Sequence, residues 1–134
     1  MFPHKENILL IKVEKFTDRI IKLAAYLKSK HVDNYIINQI SRAGTSIGAN
    51  INEGVYAQSR ADFVSKYSIA LKEANETSYW LRKLYTGNYL TQKEFDSINN
   101  DCNEIIYILI AIVKKTKETG SKCNHTFYFL HFNF

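Results

Sequence analysis

The chain has 134 residues, enough for one ordinary domain with a real core. It is 46% hydrophobic and 23% charged, with one Pro and five Gly, a composition that argues against disorder and against collagen-like or low-complexity architecture. The longest uninterrupted apolar run, Ile105 to Val113, falls far short of the roughly 20 residues a membrane helix needs, and the start Met1-Phe2-Pro3-His4-Lys5 lacks the layout of a signal peptide. Two cysteines, Cys102 and Cys123, make no disulfide framework, so the expected setting is a reducing cytoplasm with no membrane contact.

The formal net charge is +5. Residues 1–33 hold seven Lys/Arg against four Asp/Glu, and residues 59–90 hold five against three, so the excess sits on the first and third segments. Such an excess fits an anionic partner such as nucleic acid; solubility alone is the plainer reading.

Apolar residues recur at helical spacing in four stretches. In the first, near residues 5–31, the seam Leu9, Val13, Phe16, Ile20, Leu23, Leu27 steps by fours and threes as a heptad. The helix it predicts is about 40 Å long at ~1.5 Å per residue. Beside the seam, Lys12, Lys15, Arg19 and Lys22 form a basic ridge that Lys5 extends. Asp33-Asn34 can cap a second helix, from Tyr35 to Glu53, with Ile36, Ile40, Gly44, Ile47 and Ile51 as its core line and Gly54 as its stop. Gly44 and Gly48 in its interior each cost about 1 kcal/mol relative to Ala, which close approach of a neighbouring helix would offset.

Ser59, with Asp62 three positions on, starts the third helix, whose seam is Phe63, Tyr67, Ala70, Ala74, Thr77, Leu81 and Leu84 before Gly87 breaks it. Thr91 with Glu94 fits a capping box and opens the fourth, with the seam Phe95, Ile98, Cys102, Ile105, Leu109, Ile112 and a basic end at Lys114, Lys115 and Lys117. Four such helices with short connections predict an all-α, up-down-up-down antiparallel four-helix bundle over residues 1–118. The second half of helix 4 is apolar all round, whereas a bundle helix buries one stripe of about 100°. Ile106, Tyr107, Ile108, Ile110 and Val113 are therefore the expected contacts of a homo-oligomer. Residues 119–134 form an apolar, aromatic tail that could be disordered, could dock on a neighbour, or could be non-native sequence left by a frame shift.

Catalytic patterns are missing: no P-loop, nucleophile elbow, CxxC or HExxH occurs. Glu73 and Glu76, with Asn50 and Glu53, put carboxylates between helices, but a bundle di-metal site needs Glu-x-x-His and no histidine has Glu three residues before it. These groups read as capping and inter-helix hydrogen bonds. Cys123 with His125 is too little for zinc. No metal, cofactor or enzymatic activity is expected.

The run Ser46-Ile47-Gly48-Ala49-Asn50-Ile51-Asn52-Glu53-Gly54, then Ser59-Arg60-Ala61-Asp62-Phe63, then Ile69 to Thr77, resembles the bacterial "four helix bundle protein" family. That family includes proteins encoded by intervening sequences in 23S ribosomal RNA genes and the accessory protein of diversity-generating retroelements. The resemblance covers about residues 8–118, and Tyr79-Trp80-Leu81 is similar to one branch. It implies an up-down bundle that associates into cyclic homo-pentamers with a basic surface. The retroelement member binds nucleic acid and its partner reverse transcriptase, and no enzymatic activity is attached to the family. Ser46, Ile47, Asn50, Ile51, Glu53, Gly54, Asp62 and Phe63 are the signature positions, with structural roles in packing and in polar links between helices 2 and 3. The tail has no counterpart in the pattern.

Two functions remain open on these grounds. One is a non-catalytic oligomer that binds RNA or DNA with little sequence specificity, or serves a nucleic-acid enzyme, through Lys12, Lys15, Arg19 and Lys22 with Arg60 and Lys66 second. The other is a protein-interaction scaffold that uses the apolar face of helix 4 and the tail.

Overall fold

Each periodic stretch forms a helix in the computed structural model, which describes residues 4–122. The helices are α1 (His4–Ser29), α2 (Asn34–Val55), α3 (Arg60–Thr86) and α4 (Gln92–Lys122), and no strand occurs among the described residues. The loops between them are too short to do anything but reverse the chain, so consecutive helices run antiparallel. α2 packs on α1, α3 on α2 and α4 on α3, and α4 closes the ring against α1. This is the predicted antiparallel four-helix bundle. α4 continues through Gly120 to Lys122, past the point where the sequence places the start of the tail. The rest of the tail, with Cys123 and His125, lies outside the described residues, as does the side chain of Lys5.

Helix ends follow side-chain chemistry. The Asp33 carboxylate accepts the Tyr35 N–H at 2.7 Å and starts α2. Ser59 Oγ accepts from Asp62 N–H at 3.0 Å, while the Asp62 carboxylate reaches back to Gln58 N–H at 3.3 Å, one residue earlier than a capping box would. At α4 the box is complete: Thr91 Oγ1 accepts from Glu94 N–H at 3.1 Å and Glu94 Oε1 accepts from Thr91 N–H at 2.8 Å.

α1 and α3 stop at left-handed residues that are not glycine, although Gly87 is the expected stop of α3. His31 (φ 58°) and Asn88 (φ 64°) are the left-handed residues. After each, the next amide returns to the helix: Val32 N–H to Leu27 O at 3.1 Å and Tyr89 N–H to Leu84 O at 2.9 Å, the Schellman closure. Gly87 sits one residue earlier with an ordinary φ of −82°. Gly54 is no stop either. It lies inside α2, buried, and a Cβ there would stand 2.5 Å from Cε1 of Tyr67. Its missing side chain lets α3 approach, and α2 ends two residues on at Tyr56.

The core joins the predicted seams. Leu9, Val13, Phe16, Ile20, Leu23 and Leu27 of α1 are all buried, as are Ile40, Ile47 and Ile51 of α2 and the α3 and α4 seams apart from Phe95, which is partly buried. Each fully buried side chain of this size stabilises by about 1.5–3 kcal/mol. The α2 line differs at one position: Ile37 faces the core and Ile36 packs only partly against it. Gly44 performs the expected role, since its Cβ would meet Ile20 Cγ1 at 2.8 Å, and α1 and α2 touch there.

Candidate nucleic-acid interface

The ridge on α1 flanks the core seam on the side of α4, and that neighbour takes up half of it. Lys12 pairs with Glu104. Arg19 pairs with Asp101, and its guanidinium also donates to Ser97, to the hydroxyl at 2.9 Å and to the carbonyl at 3.3 Å. Lys15 and Lys22 remain exposed between and beyond these rungs. Both pairs are wet, with side chains from 37% to 53% exposed, so each contributes under about 1 kcal/mol. Their larger effect is electrostatic, because Glu104 and Asp101 halve the charge the ridge presents.

Further along the same seam the helices part into a groove of about 420 Å³. Its floor is Leu23, Leu90 and Ile98, all buried, and its rim carries Arg19 and Lys22 from α1 and Lys93 from α4. Tyr26 forms part of the wall, with Lys30 Nζ 4.9 Å from its ring centroid. Hydrogen bonding to the Tyr26 hydroxyl raises the Lys30 pKa. Glu94 is held below the usual carboxylate range, first by the Thr91 N–H and then by the Tyr26 hydroxyl. The site thus holds a fixed anion at one end and cations around an apolar floor.

Arg60 and Lys66, the second predicted set, sit on α3, across the bundle from α1. Lys66 pairs with Glu53 of α2 at 3.5 Å. The structure does not bring this pair together with the α1 ridge.

The residues expected at an oligomer interface divide. Ile106 and Val113 are 8% and 7% exposed and belong to the core of the bundle, a correction with a simple cause: α4 touches both α3 and α1 and buries a stripe wider than one heptad seam. Ile108 is partly buried against the core. Tyr107 and Ile110 alone of the set stand clearly in solvent, at 69% and 45%.

The signature positions hold the bundle together. Ile47, Ile51 and Phe63 are core, and Phe63 stacks on Tyr67 at 4.1 Å. Ser46 and Asn50 do not link helices 2 and 3, however. Ser46 Oγ donates to Ala43 O and Asn50 Nδ2 to Ser46 O at 2.8 Å, both within α2. Polar links between α2 and α3 include Glu53–Lys66 and the fork of Arg42 of α2 onto Glu73, at 3.2 Å, and Glu76; the inter-helix role read for these two carboxylates holds, and only their partner Arg42 was missed. Trp80 Nε1 donates to the same Glu76 at 3.3 Å, and Tyr35 and Tyr79 stand edge-on to Trp80. The carboxylates weighed as metal ligands are therefore spoken for, and among the described residues no three His, Cys, Asp or Glu cluster as a metal site. Cys102 is buried, its Sγ 3.3 Å from Ala74 O, and burial pushes its thiol up to about 12, the reverse of what a nucleophile needs.

Also missed were the acidic partners Asp101 and Glu104 and the groove residues Tyr26, Lys30, Leu90 and Lys93. A signal existed: Glu94, Asp101 and Glu104 recur at helical spacing on α4 as Lys12, Arg19 and Tyr26 do on α1, and an antiparallel neighbour brings the two rows together. No helix among the described residues is long and apolar enough to cross a membrane.

Comparison with known proteins supports this architecture. The family model for the 23S rRNA-intervening sequence protein matches residues 5–111. A crystal structure of a protein of unknown function from the S23 ribosomal protein family of Bacteroides thetaiotaomicron VPI-5482 superposes with a TM-score of 0.80 at 49% identity, covering 82% of this chain and 98% of that one. No curated protein matches. Matched over most of its length, the chain belongs to the 23S rRNA-intervening sequence protein family.

Proposed function

We propose that the protein is a non-catalytic, self-associating helical module that binds nucleic acid, RNA foremost, with little sequence specificity, through the basic face of α1. The observation that carries this reading is the exposure of Lys15 and Lys22 on a ridge whose other members, Lys12 and Arg19, are held in place by α4. Lysine contacts to phosphates carry no sequence information, so binding through them is largely independent of sequence. One ridge is weak, and copies multiply it. Tyr107 and Ile110 supply an apolar surface for self-association, and the cyclic pentamer implied by the family resemblance would pool the +5 of each chain. The family's description ties it to ribosomal RNA, which makes RNA the first polyanion to test. Service to a nucleic-acid enzyme such as a reverse transcriptase fits the same surface.

The test is a mobility shift with labelled RNA across a salt series, alongside light scattering for the mass of the assembly. Retention should fall steeply with salt, by about one unit of log-log slope per phosphate contact. Lys15→Glu with Lys22→Glu should abolish the shift, while Asp101→Asn and Glu104→Gln should strengthen it by releasing Arg19 and Lys12. Unchanged RNA mobility at low salt would falsify the reading. In that case the exposed Tyr107 and Ile110 favour the second function, a scaffold whose partner is another protein.

A further inference from the structure

We propose that the groove between α1 and the start of α4 is a slot for single-stranded nucleic acid, taking one unstacked base against Leu23, Leu90 and Ile98 beside Tyr26 and the flanking phosphates on Lys22 and Lys93. The inference deepens the nucleic-acid reading above and rests on it. Its ground is the juxtaposition in one place of a buried apolar floor, a tyrosine wall and cations from two different helices.

The volume of about 420 Å³ lies within the ~300–1,000 Å³ of small-ligand pockets, so a base with its sugar fits where a duplex does not. Bases in a duplex are stacked and paired and offer no apolar face to such a floor, whereas a single strand can turn one in. The charges set direction. Arg19 is fixed by Asp101 and Ser97 at one end of the rim, and Lys22 and Lys93 stand exposed on opposite walls. At the Tyr26 end the carboxylate of Glu94, anchored on Thr91 N–H at 2.8 Å, is offset by Lys30, so the uncompensated positive charge of the rim lies along Lys22 and Lys93 and the backbone follows it. Lys30, packed on the Tyr26 ring, keeps that wall in place.

The experiment measures binding of a fluorescein-labelled oligouridylate a dozen nucleotides long, the oligothymidylate of equal length, and a duplex of that length to the full chain, by anisotropy at low salt. Single strands should bind more tightly than the duplex. Tyr26→Leu should weaken them about tenfold while Tyr26→Phe, which keeps the ring, does not. Lys93→Glu should do the same, and Lys72→Glu, an exposed reversal elsewhere on α3, should have a smaller effect. Equal binding of strand and duplex overturns the slot and leaves the nucleic-acid reading standing, as does an equal loss from Lys72→Glu and Lys93→Glu. If Tyr26→Leu fails to fold by circular dichroism, the Lys93→Glu and Lys72→Glu pair decides alone. No change in anisotropy with any probe overturns both readings.

Discussion

Between α2 and α3 the backbones come so close that the Tyr67 ring lies where a Cβ of Gly54 would stand, and the fully buried Tyr67 stacks on Phe63 to seal the contact. Between α1 and α4 the bundle is spanned instead by Lys12–Glu104 and by Arg19 on Asp101 and Ser97, with a groove opening beside the rungs. Deep interdigitation removes apolar surface from water and leaves no room for a ligand. Beneath the α1–α4 rungs Phe16, Ile20, Cys102 and Ile105 are buried as well, and the space opens only past them, over Leu23, Leu90 and Ile98. One seam of the same bundle is therefore closed along its length by packing, and the opposite one ends in a groove, the space that the proposed slot requires.

The sharpest way to break this contrast is to add one methyl group on the tight side. Gly54→Ala must displace the Tyr67 ring or push α2 from α3, and overpacking of this kind costs about 1–3 kcal/mol, more than the ~1 kcal/mol that Ala gains over Gly as a helix former. Gly48→Ala is the control. Its Cβ would meet only Thr17 Oγ1 at 3.0 Å and Val13 Cγ1 at 3.7 Å, and its effect should stay under about 1 kcal/mol in either direction. Urea unfolding measures both. Equal stability of Gly54→Ala and the parent would mean that the α2–α3 seam is looser than the Tyr67 contact implies.

A second measurement asks how dry the α3–α4 seam is, using Cys102. The fold favours its neutral thiol: the unfolded chain releases the proton near 9.0, and the folded chain holds it to about 12. In that window the unfolded state binds fewer protons, so stability is full below pH 9 and declines as pH rises. In a Cys123→Ser background, the stability margin over Cys102→Ala should shrink by about 1.4 kcal/mol between neutral pH and about pH 10. A margin independent of pH would show that water reaches the thiol.

The contrast between seams also explains what the sequence could reveal. Heptad seams are local and strong, so the helices, their order and most of the core were legible: Leu9 to Leu27 and Phe63 to Leu84 read correctly from spacing alone. Helix stops are less legible: Gly87 and Gly54 have the residue type of a stop, but the left-handed turn falls on Asn88, and Gly54 answers to the Tyr67 ring. A Schellman turn accepts Asn or His at a modest conformational cost, and a glycine can be required by a neighbour distant in sequence. The all-round apolar stretch of α4 misled for a related reason. Ile106 and Val113 find their cover on neighbouring helices, which periodicity along one helix cannot show. The ridge was visible, but its neutralisation by Asp101 and Glu104 depends on which helices adjoin.

The smallest expected effect lies on the open seam. A double-mutant cycle on Arg19→Ala and Asp101→Ala should give a coupling under about 1 kcal/mol, because the two side chains are 39% and 44% exposed and water screens most of their attraction. The coupling should fade further in high salt, where the Debye length shrinks to about 3 Å at 1 M. Arg42 with Glu76, on the opposite side, makes the better comparison than any buried contact, since it too is an ion pair at the surface. There Glu76 also accepts the Trp80 indole N–H and Glu73 shares the guanidinium, so the pair belongs to a network and should couple more strongly and resist salt longer. Should Arg19 and Asp101 prove the stronger and less salt-sensitive pair, the α1–α4 seam is closed more firmly than its groove suggests, and entry of a ligand there would require it to open.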